Sequence, residues 1–102
     1  MASTIVGSGK FTYEMHTDWA KLPEGWAMPA AAVYGDSEDN VYCFNRDPDH
    51  PIVIFDKDGN YLNSWGKDLF AFPHAIILDN DDNVWLVERN NCQIMKFTKD
   101  GQ

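Results

Sequence analysis

The chain has 102 residues, which bounds it to one domain at most. A composition of 44% hydrophobic and 14% aromatic residues suits a globular chain and argues against a disordered one. The formal net charge of -8 argues against nucleic acid and anionic membrane surfaces as partners, because both need clustered Lys/Arg.

Residues 1–9 are small and polar, with Gly7 and Gly9 among them, and read as a flexible tail. They hold no basic segment followed by an apolar stretch of about 7–15 residues, so no signal peptide is expected. No run approaches the roughly 18 apolar residues of a membrane-spanning helix. The expectation is a soluble, cytoplasmic chain. Residues 10–102 read as one folded unit.

Within residues 10–19, Phe11, Tyr13 and Met15 alternate with Thr12, Glu14 and His16, the period of a half-buried strand running to Asp18. Residues 20–29 carry Pro23, Gly25 and Pro29 and read as a loop. A regular pattern then begins over residues 30–65. Ala31–Gly35, Val41–Asn45, Ile52–Asp56 and Tyr61–Trp65 are short strands. Asp36–Asn40 is an acidic turn, and Lys57-Asp58-Gly59-Asn60 is a hairpin turn. No stretch has a helical period, so the chain is predicted to be all-β. Cys43 and Cys92 lie among strand-like residues and are expected to be buried, reduced thiols.

The pattern then repeats. Ala32–Arg46 superposes on Ala75–Arg89, with Asp36/Asp79, Asp39/Asp82, Asn40/Asn83, Val41/Val84 and Arg46/Arg89 identical. After a one-residue deletion, Ile52/Ile94, Phe55/Phe97, Lys57/Lys99, Asp58/Asp100 and Gly59/Gly101 match. A period of roughly 40–45 residues with four strands per unit is the pattern of β-propeller blades. The second unit, residues 74–102, ends without a fourth strand. The strand at residues 10–19 ends in Trp19 much as the first unit's fourth strand ends in Trp65. It is therefore expected to complete a blade of the second type. Two blades do not close a ring, and propellers have roughly 4–8. A strand offered at one end and lacking at the other is a head-to-tail contact, which makes rings when the rotation closes. A homotrimer of six blades is expected, with five or two chains as the other divisions.

Three features carry candidate chemistry. His74 precedes the innermost strand of the second unit, and its counterpart in the first is Ala31. Three copies would meet at the axis of a trimer and offer three imidazoles to zinc with an open fourth position. The alternative is a turn histidine bonded to backbone. Arg46 and Arg89 follow the second strand of each unit. Arginines at such strand ends suit a carboxylate, held by paired hydrogen bonds, and the alternative is a salt bridge to the abundant Asp and Glu. Arg46 is favoured because it heads the irregular loop Asp47–Pro51. The acidic turns Asp36–Asn40 and Asp79–Asn83 lack calcium-loop spacing and read as Asx-type turns.

The stretch Gly66–Asp79, running on through Asn83-Val84-Trp85 to Met95-Lys96-Phe97, resembles NHL-repeat propellers. It resembles most the peptidyl-α-hydroxyglycine α-amidating lyase branch, and Val33–Arg46 is similar as well. The resemblance covers residues 30–102, about two blades of a six-bladed enzyme. It implies a central zinc held by three histidines from alternate blades, with His74 matching the first. It implies that Arg46 is an active-site residue. It also implies a structural calcium bound partly through backbone carbonyls at Val33 and Ile76. The family's reaction splits a peptidyl-α-hydroxyglycine into a peptide amide and glyoxylate. Ala75 stands where the family has an acidic calcium ligand, which makes calcium less expected than zinc, and the family's catalytic tyrosine has no match. Two functional readings follow: a metal-binding propeller with lyase-like or hydrolase-like chemistry on a small-molecule or peptide substrate, or a non-catalytic scaffold, natural fragment or engineered, that self-assembles.

Overall fold

The structure, a computed structural model, describes residues 3–102. Residues 1 and 2 of the expected tail lie outside the described residues. The chain is all-β, in three antiparallel sheets. The first pairs β1 (Ser3–Ser8) with β2 (Phe11–His16). The second runs in the order β3 (Ala30–Gly35), β4 (Val41–Asn45), β5 (Ile52–Phe55), β6 (Tyr61–Trp65). The third runs in the order β7 (Pro73–Leu78), β8 (Val84–Glu88), β9 (Gln93–Phe97). None of the described elements is a helix long and apolar enough to cross a membrane.

Two expectations change at the amino end. Residues 3–8 are a strand, where a flexible tail was expected. Thr4, Ile5 and Val6 are β-branched, and Gly9 takes φ 58°, so a tight turn brings Ser8 opposite Phe11. β2 is exposed along its whole length, where a half-buried strand was expected. Among the described residues it pairs with β1 and packs on no other sheet, so Phe11 and Tyr13 stay 61% and 63% exposed.

The core lies between the second and third sheets. Tyr42, Phe44, Ile52 and Ile54 from one sheet meet Ile76, Leu78, Val84 and Leu86 from the other. Phe70, in the connection from β6 to β7, fills the same layer, its ring edge-on to Phe44 at 5.0 Å. The opposite face of the second sheet, Cys43, Val53 and Phe55, is covered by Trp19, Leu22, Trp26 and Met28 from the 19–29 connection. Both faces of the second sheet are therefore buried, which explains the unbroken apolar run of β5.

Trp19 and Trp65 dock in the same way. The Trp65 indole donates to Lys99 O at 2.9 Å, stacks obliquely on Phe97 at 5.2 Å and lies against Gly101. The Trp19 indole donates to Lys57 O at 3.2 Å, stacks obliquely on Phe55 at 5.7 Å and lies against Gly59. Both glycines have positive φ, 84° and 83°; a Cβ at Gly101 would meet the Trp65 indole, and one at Gly59 would meet the Trp19 backbone carbonyl. Trp19 thus stands to the second sheet as Trp65 stands to the third.

The acidic turns are Asx turns. Asp36, Asp56 and Asp79 each accept backbone N–H groups two and four residues on, all at 2.9 Å. Lys99 ties two of these turns together. Its ammonium lies 3.1 Å from Asp82, 3.4 Å from Glu38 and 3.7 Å from Asp36. The Asp82 hydrogen bond is the chief reason its pKa is raised, partly opposed by burial. Cys43 is buried, as expected, but Cys92 is exposed. The residue lies in the turn after β8, with φ 53°, so its side chain leaves the sheet rather than entering it.

Candidate functional site

The two arginines and His74 come to one end of the sheets. Ala30 pairs with Asn45 across β3 and β4, and Pro73 pairs with Glu88 across β7 and β8. Arg46 and Arg89 are each the next residue beyond those pairs.

The same irregularity occurs in both ladders at this end. The register skips Ala31 in β3 and His74 in β7. These are the two positions that the repeat equates. An inserted residue has no partner opposite, and a bulge re-aims its side chain. His74 is exposed at this point, with Pro73 buried before it and Ala75 half-buried after it. The second sheet spends the same device on an alanine.

Arg46 reaches across from the neighbouring sheet. Its backbone N–H donates to Pro29 O at 3.1 Å, and its Nε donates to Pro73 O at 3.1 Å. The guanidinium of one predicted site residue is therefore bonded to the residue before the other. The guanidinium also lies over the Phe72 ring, 4.1 Å from its centroid. Arg89 lies over the same ring at 4.5 Å. Its backbone N–H donates to Phe72 O at 3.0 Å. The salt-bridge alternative is not what the structure shows: among the described residues neither guanidinium has a carboxylate at ion-pair distance.

Glu88 holds this arrangement from beneath. It is 1% exposed and accepts from the backbone N–H groups of Phe72, Asn90 (3.3 Å) and Asn91 (2.6 Å). Burial pushes its pKa up, but the three backbone donors outweigh burial and leave it below the ordinary value. An ionised carboxylate with three N–H donors is well satisfied. Asn45, fully buried beside Arg46, donates to His50 O at 3.2 Å, while its Oδ1 has no partner.

The loop after Arg46 is ordered by its own contacts. His50 stacks on Trp26 at 3.5 Å and shares a hydrogen bond with Asp47 at 3.1 Å. The Asp49 N–H and then His50 hold the Asp47 carboxyl below its ordinary pKa.

Val33 and Ile76 occupy equivalent places in the adjacent strands β3 and β7, opposite Cys43 and Leu86. Val33 is 58% exposed and Ile76 is 4% exposed. Ile76 lies two residues along β7 from His74. Among the described residues, no group of three His, Cys, Asp or Glu side chains is placed to hold a metal. One chain contributes one exposed His74 imidazole, and the His50 imidazole in the loop after Arg46 is stacked on Trp26 and bonded to Asp47.

Phe72 and Glu88 carry much of the geometry, and neither was singled out from the sequence. Phe72 sits in a run of apolar residues with no period of its own. Glu88 aligns with Asn45 of the first unit, which is likewise buried, and that shared polar position is the signal that could have found it.

No family model matches the chain. It is similar to peptidyl-α-hydroxyglycine α-amidating lyase 1 of Drosophila melanogaster, 40% identical over 43 residues, which is 42% of this chain and 8% of that protein. It is also similar to the peptidylglycine α-amidating monooxygenase of Rattus norvegicus, 27% identical over 116 aligned positions, covering 88% of this chain and 12% of that protein. The chain thus spans only about an eighth or less of the length of these curated relatives.

Proposed function

We propose that the chain is two blades of an NHL-type propeller, and that the end carrying Arg46 and His74 is a lyase-type site for a small substrate bearing a carboxylate. The observation that carries the reading is the Arg46 Nε hydrogen bond to Pro73 O, beside the bulge that presents His74. It brings a guanidinium from one sheet to the residue that precedes an exposed imidazole on another. The names of both relatives support the reading, since both proteins are amidating enzymes and one is a lyase for peptidyl-α-hydroxyglycine. A hydroxyglycine ends in a carboxylate, the group an arginine fork fits.

In this reading His74 is one of three imidazoles on a zinc ion, and bound zinc supplies Lewis-acid polarisation of a substrate oxygen. Among the described residues His74 supplies one of the three ligands. The zinc reading draws the other two from further copies of this chain around an axis, and the carbonyls of Val33 and Ile76 are the weaker proposal for calcium. An open face supports assembly. Trp85 and Ile94 are 38% and 72% exposed, while their counterparts Tyr42 and Ile52 are 3% and 0% exposed beneath the third sheet. Ala75, Ile77 and Val87 extend the same apolar hollow. This face also carries the second reading, a non-catalytic module that self-assembles through its open blade.

Native mass spectrometry with metal analysis tests the proposal. The expected result is a trimer with one zinc per ring, and a His74→Ala trimer without zinc. A monomer at all concentrations rejects the ring and the threefold site together. Zinc retained by His74→Ala rejects the ligand assignment.

A further inference from the structure

We infer that Arg89 is a second arm of the carboxylate site, paired with Arg46 around Phe72. The inference rests on the site proposed above and names a residue that the proposal does not use.

Four observations carry it. First, the two arginines are repeat equivalents, each following the second strand of its own sheet. Second, both guanidinium carbons lie over one ring, at 4.1 and 4.5 Å from its centroid, so they are closer together than the sum of those distances. Third, the ring is held at both backbone ends. Phe72 N–H donates to Glu88, and Phe72 O accepts from Arg89 N–H. Fourth, both side chains are exposed and neither has a carboxylate partner among the described residues.

Acids outnumber bases in this chain, 16 to 8. Two lysines find acids, Lys67 at 3.3 Å from Asp49 and Lys99 with three carboxylates, whereas Lys10 and Lys96, like the two arginines, lie over aromatic rings. At this end the neighbouring acids are committed. Glu88 is taken by the amides of Phe72, Asn90 and Asn91. Asp47 is taken by His50 and the Asp49 N–H. The two guanidinium groups share one ring with no carboxylate beside them, and an added carboxylate can accept charge-assisted hydrogen bonds there. Phe72 supplies the platform, since guanidinium groups stack on aromatic faces; the Arg46 Nε–H is taken by Pro73 O, which leaves its Nη groups for a ligand. A fork at each side gives orientation as well as charge, which a lysine would not.

The test is an NMR titration of the full chain with sodium glycolate at constant ionic strength, following the Arg Nε–Hε signals, with and without a chelator. Glycolamide, the neutral analogue, is the control. The expected result is a saturable shift at both arginines with glycolate and none with glycolamide. Arg89→Gln should weaken binding about tenfold, the scale of one hydrogen bond to a charged group. Arg89→Lys should recover only part of that loss. Arg89 is exposed, so both variants should melt as the wild type does. Wild-type affinity in Arg89→Gln overturns the inference, as does full recovery in Arg89→Lys, which would leave charge alone. A shift that never saturates, or an equal response to glycolamide, overturns the carboxylate site itself. Because the titration is read without metal as well as with it, its failure is separable from failure of the zinc assignment, which the metal count reports.

Discussion

Removing the Trp65 side chain should separate the packing of the two large sheets from their backbone pairing. Trp65 ends β6 in one sheet and makes its contacts on the other, with Phe97, Gly101 and the Lys99 carbonyl. Truncating a large buried aromatic to alanine costs about 3–5 kcal/mol, and a half-buried ring belongs at the low end, about 3 kcal/mol. The indole hydrogen bond accounts for about 1 kcal/mol of this. Trp65→Phe keeps most of the ring and loses the donor, so its cost should be near that smaller figure. Urea unfolding is the assay. With a slope of about 1.5 kcal/mol/M for a chain of this size, Trp65→Ala moves the midpoint down by about 2 M and Trp65→Phe by less than ~1 M. An unchanged slope is part of the expectation, because the folded topology is retained. A Trp65→Ala midpoint within ~0.5 M of wild type would refute the claim that this indole joins the sheets. Equal losses in the two variants would show that the hydrogen bond, not the ring, carries the effect.

Other outcomes follow from burial and titration. Burial pushes the Cys43 thiol up to about 11, while Cys92 is exposed. A thiol-specific disulfide reagent at pH 8 should therefore modify one cysteine per native chain and the second only on unfolding; two fast equivalents would contradict the buried site. The Trp85 indole, and then the Asn83 N–H, lower the Asp79 pKa from 3.8 to about 2. A carboxyl with a depressed folded pKa adds stability above its unfolded value and loses it as pH falls through the folded one. The wild-type urea midpoint should thus drop between pH 3.8 and about pH 2, and Asp79→Asn should flatten part of that slope. An identical slope in the variant would exclude Asp79 as a contributor.

Much of this architecture was readable along the chain. The strands of both large sheets fall where apolar runs meet Asx and glycine turns, and those are properties of neighbouring residues. The repeat equates Arg46 with Arg89 and His74 with Ala31, because register survives in the order of turn residues. The sequence could not say that Ser3–Ser8 is a strand, since only a partner across Gly9 makes it one. It placed Cys92 inside, but the turn carries the thiol out. The candidate site shows the division most clearly. Sequence alone determined which residue types recur at the strand ends. Tertiary structure decided that Arg46 crosses to Pro73, that His74 occupies a bulge, and that Phe72 lies under two guanidinium groups. Those contacts join residues from different sheets, and only the packing of one sheet on the other brings them together.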